Sequence, residues 1–188
     1  MTEKGAKGEG SFRPIIIIMA ISLLIASLWD KMPWIKNAVH TVLDPSAGSL
    51  LNWNLTIGML IIVFILTLLT TLVQKYATDQ ATLKEIKKEQ KEIQKQMKEF
   101  KDHPEKMMHL QKKQMEMFPK QMKLSMRGIA YTGVPFILLF RWFYDFFAGI
   151  EATTGAPVKF FGFLGWIWFY LIFAMIFSSI LRKWLDVV

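Results

Sequence analysis

The sequence predicts an all-α membrane protein with three core transmembrane helices, a further N-terminal one, and a cytoplasmic antiparallel coiled-coil hairpin. Three observations predict this fold class. Hydrophobic residues make up 53% of the 188 residues and the mean hydropathy is +0.30, which is too apolar for a soluble domain of this size. Four long apolar segments lie along the chain, and a charged, helix-like stretch separates the second from the third.

The four apolar segments are predicted to cross the membrane. Residues 55–73 and 160–181 contain 19 and 22 residues without a charge, and about 20 apolar residues in a helix cross the roughly 30 Å of hydrocarbon. Residues 128–150 contain two charges but are otherwise apolar and long enough. Residues 14–29 follow basic residues, as a signal peptide would, but no clean cleavage site follows them, so we expect a retained span.

The distribution of charge predicts the orientation of these segments. Residues 74–127 contain 14 Lys and Arg against 8 Asp and Glu, whereas 30–54 and 149–159 are each neutral. Basic loops tend to stay on the cytoplasmic side of a membrane. We therefore predict a multi-pass protein of the cell membrane whose charged segment and both termini are cytoplasmic.

The charged segment has the rhythm of two helices that pack together. Apolar residues recur every three or four positions on both sides of the turn Asp102-His103-Pro104-Glu105, which predicts an antiparallel coiled-coil hairpin. Asp102 is expected to cap the returning arm and Pro119 to kink it. The predicted seam comprises Leu83, Ile86, Gln90, Ile93, Met97 and Phe100 on the outgoing arm and Met108, Gln111, Met115, Phe118, Met122 and Ser125 on the returning arm.

The returning arm carries a second apolar stripe, which one partner helix cannot cover. Its members are Met107, Leu110, Gln114, Met117, Gln121 and Leu124. Methionine is flexible and polarizable, and it therefore suits varied hydrophobic partners. Core packing or self-association is the alternative interpretation. The candidates for hydrophobic contact are Met107, Met108, Met115, Met117, Met122 and Met126.

Polar side chains inside the second apolar segment share one face. They fall within an arc of about 100° on a helix of 3.6 residues per turn. Such residues either line a hydrated groove or pack against neighbouring helices and their own carbonyls. The residues are Thr56, Thr67, Thr70, Thr71 and Gln74.

The last two apolar segments also contain polar residues. Arg127, Tyr131, Arg141 and Asp145 share a face of the third segment, and Ser178 lies near the cytoplasmic end of the fourth. Charged residues inside a span usually face protein or water. Arg141 is expected to snorkel outward or to pair with Asp145 one turn further on.

No catalytic or cofactor motif is present in the sequence. The chain contains no cysteine, which excludes disulfides and thiolate nucleophiles. It also lacks a Gly-rich phosphate loop, a metalloprotease helix and a serine nucleophile elbow. We therefore expect no enzymatic activity, no metal and no cofactor.

These predictions divide the chain into five parts. The parts are 1–52, the N-terminal tail, first span and external loop; 53–76, the first core span; 77–127, the hairpin; 128–150, the second core span; and 151–188, an external loop, the third core span and a short cytoplasmic tail.

The order of these parts resembles the core of the YidC/Oxa/Alb insertases. The stretches TDQATLKEIKKEQKEIQKQMKEFKDHPEKM and QMKLSMRGIAYTGVPFILLFRW are similar to short archaeal members, relatives of the insertase subunit of the endoplasmic-reticulum membrane complex. The resemblance covers residues 53–188. It implies a membrane protein insertase that takes hydrophobic segments of nascent proteins, without a nucleotide, and that works beside the lipid bilayer, the ribosome and other membrane subunits.

The resemblance also implies where a substrate binds. A hydrophilic groove open to the cytoplasm would include Thr67, Thr70, Thr71, Gln74, Arg127, Tyr131, Arg141 and Ser178, and the methionines of the hairpin would contact the hydrophobic segment. Bacterial relatives carry a positive residue in the groove on the first core span, whereas here Lys75 lies only at the end of that span. Arg127 or Arg141 is the expected substitute.

Two other functions are compatible with the same features. A small channel or transporter would use the polar face to pass ions or solutes. A membrane-anchored coiled-coil scaffold would use the hairpin to bind a partner and would not depend on the polar face.

Overall fold

A computed structural model describes the backbone of residues 13–101 and 103–187, with side chains except at 13–15, 127, 129 and 130. The predicted cap Asp102 therefore lies outside the described residues, as does the side chain of Arg127. The helices are α1 (Arg13–Ser27), α2 (Pro33–Leu43), α3 (Ser49–Trp53), α4 (Leu55–Ala77), α5 (Gln80–Glu99), α6 (Pro104–Thr154) and α7 (Trp166–Trp184), with a 3-10 turn at Trp29–Lys31, a π turn at Asp44–Gly48, and two antiparallel strands, β1 (Lys159–Phe160) and β2 (Leu164–Gly165).

Three helical stretches are long and apolar enough to cross a membrane. They are Leu55–Ala77, Tyr131–Thr154 and Trp166–Trp184, and they supply the three core spans expected of an all-α membrane protein. The apolar part of α1, Ile16–Ser27, is shorter than the about 20 residues that a span needs. The N-terminal span therefore stays a prediction.

The helix ends follow local side-chain chemistry. The side chain of Asn54 accepts a 3.0 Å hydrogen bond from the backbone N–H of Ile57 and so caps α4. Asp79 caps α5 in the same way, accepting from Thr82 at 3.1 Å. Such caps satisfy amide groups that have no partner within the helix. Gly155, with φ of 69°, ends α6 in the left-handed conformation that glycine tolerates best.

The returning arm of the hairpin and the second core span are one continuous helix. The sequence divides them at residue 127, but α6 runs unbroken for 51 residues, about 75 Å at 1.5 Å per residue. Pro119 and Pro135 both lie inside it. The helix also ends at Thr154, four residues beyond the predicted boundary.

Contacts between α4 and α7 establish the relative direction of these two helices. Phe64 of α4 meets Phe177 of α7, and Gln74 of α4 meets Arg182 of α7, so both helices run toward the same end of the bundle. We call this the hairpin end, because α5 follows α4 there. The opposite end, where α6 finishes and α7 begins, is called the far end.

An aromatic core joins α4, α6 and α7. Edge-to-face and offset contacts between rings add to the packing of a core beyond the area they bury. Phe140 and Tyr170 meet edge to face with ring centroids 4.9 Å apart, and Phe147 stacks on Trp166 at 5.5 Å. The buried members include Met59, Ile62, Val63, Leu139, Trp142, Phe143, Phe147, Phe160, Phe169 and Tyr170.

Two of the glycines differ sharply in their surroundings. A Cβ added to Gly58, which is buried in α4, would lie 2.6 Å from the carbonyl carbon of Leu50 and 2.9 Å from the amide nitrogen of Leu51. A Cβ added to Gly149 in α6 would meet nothing within 4 Å. The absence of a side chain at position 58 therefore lets α3 turn tightly onto the start of α4.

We predict that Gly58→Ala destabilises the protein and that Gly149→Ala does not. The first change forces backbone apart, and overpacking of this kind costs about 1–3 kcal/mol. The second replaces an unpacked helical glycine and should stabilise α6 by about 0.5–1 kcal/mol. Thermal unfolding of both variants in detergent, followed by circular dichroism, measures the difference. Equal melting temperatures would contradict the close approach of α3 to α4.

Candidate functional site

A cavity with several polar side chains in its lining, which we call the polar cavity, lies between α4 and α7 toward the hairpin end. Its volume is about 510 Å³. Because α4 and α7 run side by side in the same direction, the polar face of α4 meets the polar residues near the end of α7. The lining residues are Thr67, Thr70, Thr71, Gln74, Phe136, Tyr170, Leu171, Ala174, Met175, Ser178, Ser179 and Arg182.

The threonines of α4 donate to their own helix. The hydroxyl of Thr67 donates to the carbonyl of Val63 at 2.6 Å, and that of Thr71 donates to the carbonyl of Thr67 at 2.7 Å. Thr70 donates to Leu66 in the same way. Each hydroxyl oxygen keeps acceptor capacity, so this wall is polar although its donors are used. The bonds to the helix's own carbonyls agree with the packing interpretation of these residues, and the hydrated groove stays a prediction.

Arg182 supplies a positive charge to the cavity. Its Nη2 donates a 2.9 Å hydrogen bond to Oε1 of Gln74, which joins the ends of α7 and α4. Its Nε is buried and donates to no acceptor in the part of the chain that the structure describes. Sequence reasoning placed Arg182 in the tail and missed it, although Ser178 lies one helical turn before it on the same face.

Two of the other expected cavity residues, Tyr131 and Arg141, lie elsewhere. Tyr131 lines a separate apolar cavity of about 530 Å³ between α2, α4 and α6. Arg141 lines neither cavity, since its Nη2 lies 3.4 Å from Oδ2 of Asp30 and its guanidinium lies over the rings of Trp29 and Tyr144. The prediction of a groove position for Arg141 is therefore not met by this geometry. Thr70 lines both cavities.

Asp145 is held by partners other than Arg141. It accepts hydrogen bonds from Nε1 of Trp29 at 2.8 Å and from Nζ of Lys36 at 3.0 Å, and Nε2 of His40 lies 3.4 Å away. The hydrogen bond to Asp145 raises the pKa of Lys36 above its ordinary value. The segment between α1 and α4 is thereby fixed to α6, and the expected pairing of Arg141 with Asp145 is replaced.

The two arms of the hairpin pack through the second stripe of the returning arm. Ile86 and Ile93 of α5 are buried against Leu110 and Met117 of α6, with Met97, Phe100 and Leu124 around them. Gln90 Nε2 donates to Gln121 Oε1 at 2.6 Å across the same contact. The predicted seam on the returning arm is therefore wrong, because its residues face outward instead.

The outward stripe forms an apolar surface on α6. We call Met108, Met115, Phe118 and Met122 the methionine face; their side chains are 71, 74, 62 and 40% exposed. Met107 and Met126 are half-buried, and Met117 is buried in the contact between the arms. Of the six methionines singled out in the sequence, three therefore lie on this face.

The base of the hairpin is tied to the end of α7. Nζ of Lys84 in α5 forms an ion pair with Asp186, which follows α7. The hydrogen bond from Lys84 lowers the pKa of Asp186 below its ordinary value. Asp186 lies four positions after Arg182, so the hairpin is held beside the mouth of the polar cavity.

Comparison with known proteins identifies the family. Residues 40–188 match the model of the family described as integral membrane protein EMC3/TMCO1-like. No curated protein and no solved structure matches the chain. The matched region contains the polar cavity, the hairpin and all three core spans. The chain therefore belongs to the EMC3/TMCO1-like family of integral membrane proteins, within the YidC/Oxa1/Alb3 insertase superfamily.

Proposed function

We propose that this protein is a membrane protein insertase that moves a polar flank of a nascent protein through the cavity between α4 and α7. The observation that carries the proposal is the position of that cavity. Thr70, Ser178 and Arg182 place hydroxyl groups and a charge within the spans at the hairpin end. The hairpin, which carries an exposed apolar surface, extends from that same end.

The physical task is to lower a desolvation barrier. A polar or charged group that leaves water for hydrocarbon loses its hydrogen bonds, which costs several kcal/mol per group. A polar cavity that reaches part of the way across shortens the apolar path. The attached hydrophobic segment gains free energy as it enters the lipid. That gain drives the transfer, so no nucleotide is required.

Arg182 gives the cavity a preference for acidic or carbonyl-rich flanks. Its guanidinium lines the cavity, makes one hydrogen bond to Gln74, and carries further N–H donors. Hydrogen bonds to charged groups contribute about 1.5–3 kcal/mol each. Arg182 thus takes the role that the resemblance assigned to a groove charge, in place of Arg127 or Arg141.

The methionine face receives the hydrophobic segment before insertion. Side chains of methionine adapt to varied apolar surfaces, and this face lies on the same helix as Tyr131 and Phe136, which reach the membrane cavities. In this proposal the hairpin is a cytoplasmic coiled coil whose basic charge faces the ribosome, and both termini are cytoplasmic. Other membrane subunits would cover the apolar cavity.

A channel or a scaffold would behave differently from an insertase in experiments. A channel would pass ions through liposomes without any substrate, whereas an insertase needs a hydrophobic segment to deliver. A scaffold would lose partner binding when the methionine face changes but would be indifferent to Arg182. The test of the cavity residues therefore separates the three functions.

Water should reach the polar cavity from the hairpin end. Ser178 lines the cavity, whereas Ile180 is 60% exposed on another face of α7. A single cysteine replacing Ser178 should react with a membrane-impermeant maleimide added to the hairpin side of proteoliposomes, and one replacing Ile180 should not. Thiol labelling followed by gel shift measures both. Equal protection of the two sites would argue against a hydrated cavity.

Neutralising Arg182 should impair insertion of substrates with acidic flanks. We expect Arg182→Gln to reduce their insertion by roughly tenfold, the effect of losing about 1.4 kcal/mol of interaction, and Arg182→Lys to retain part of it. Protease protection of a single-span substrate in proteoliposomes measures insertion. Lys183→Gln removes the same charge from the exposed neighbour and serves as the control. Equal insertion by Arg182→Gln and Lys183→Gln would refute a role for the cavity charge.

Substitutions at Met115 and Met117 should affect different properties, substrate crosslinking for the first and stability for the second. Met115 is 74% exposed and Met117 is 7% exposed. We expect Met115→Ala to weaken photocrosslinking to a nascent hydrophobic segment while the melting temperature stays constant. Met117→Ala should instead lower the free energy of unfolding of the hairpin by about 2 kcal/mol or more. Unchanged crosslinking in Met115→Ala would remove the methionine face from the proposal.

A further inference from the structure

A tight aromatic turn connects α6 to α7 at the far end of the bundle. Strands β1 and β2 pair through Phe160 and Leu164, and the backbone N–H of Phe163 donates to the carbonyl of Phe160 at 3.3 Å. Phe161 and Gly162 both have positive φ, 53° and 85°. We call residues 159–165 the aromatic turn.

The composition of this turn is unsuited to water. Positive φ is common for glycine and asparagine but strains a bulky side chain such as that of Phe161. The side chains of Phe161 and Phe163 are also 60 and 74% exposed on the protein surface. A turn facing solvent would gain from polar residues at both positions. The sequence instead puts two large apolar groups at the tip.

The turn folds back along α7 instead of projecting away from the bundle. Phe160 is 1% exposed and packs between Phe147 and Phe169, with ring centroids 6.0 and 4.3 Å away. Phe161 also contacts Phe169, at 5.8 Å. Phe169 lies three residues inside a membrane-spanning helix, about 4.5 Å along its axis at 1.5 Å per residue. The tip is therefore level with the first turn of a span.

The exposed apolar surface continues from the turn onto the membrane-facing side of α7. Ile167 and Trp168 are 46 and 63% exposed, and they belong to the span itself. Lys159 is exposed at the base of the turn, where a long cationic side chain can reach lipid phosphates. Aromatic rings and lysine are typical of the boundary between headgroups and hydrocarbon.

We propose that the aromatic turn inserts Phe161 and Phe163 into the lipid leaflet at the far end of the bundle. The two rings contact lipid at the boundary between acyl chains and headgroups. This contact fixes the depth of the junction between α6 and α7 in the membrane. It thereby holds the far end of α6 and the far end of α7 at the same depth. It is independent of the polar cavity, which lies toward the opposite end of the same helices.

The absence of native cysteine allows a direct test. Single cysteines replacing Phe161, Phe163 or Ala156 are labelled with a polarity-sensitive fluorophore, and the protein alone is placed in phosphatidylcholine nanodiscs. Ala156 is exposed between α6 and β1, outside the membrane-spanning helices, and serves as the aqueous control. We expect blue-shifted emission at positions 161 and 163, with quenching by lipids spin-labelled near the headgroup severalfold stronger than at 156.

Quenching by aqueous iodide measures how far the same positions are exposed to water. Iodide quenching should be severalfold weaker at 161 and 163 than at 156. Iodide quenching equal at all three positions would place the tip in water and overturn the proposal. A protein that covered the turn in a larger assembly would then be its partner.

Phe163 makes no ring contact among the described residues, so Phe163→Cys tests the proposal even if Phe161→Cys misfolds.

Discussion

The hydrogen bond from Arg182 to Gln74 is the interaction on which the proposed site depends. Within a bilayer a polar side chain without a partner is costly, so polar groups in spans pair with each other or face water. Gln74 and Arg182 pair across the ends of α4 and α7. The pair joins the two helices at the hairpin end of the cavity and places the guanidinium there.

The continuity of α6 links the two candidate surfaces. Its first half presents the methionine face, and its second half contributes Phe136 to the polar cavity and Trp142 and Phe143 to the aromatic core. A single helix transmits position along its length more rigidly than two helices joined by a loop. A segment bound on the hairpin is therefore at a defined distance from the cavity, and the ion pair between Lys84 and Asp186 adds a second tie at the base.

The sequence predicted what depends on composition and period. Uninterrupted apolar length identified the core spans, and a period of 3.6 residues placed Thr67, Thr70 and Gln74 on one face. Two stripes with identical spacing on the returning arm could not be distinguished, because only the docking of α5 decides which one is buried. The role of Arg182 was not predictable either, since a basic residue at the end of a span has the same pattern whether it points into a cavity or toward headgroups. The continuity of α6 was missed because proline normally ends or bends a helix.

Site-specific crosslinking to a stalled nascent chain tests the central claim most directly. Ser178 lines the polar cavity and not the apolar one, whereas Ile176 on the same helix is 46% exposed and lines neither. With one cysteine in the flank of the nascent segment, a short bismaleimide should join it to a cysteine replacing Ser178 and not to one replacing Ile176. Equal yields at both positions, or a crosslink only at position 176, would contradict a substrate path through the cavity.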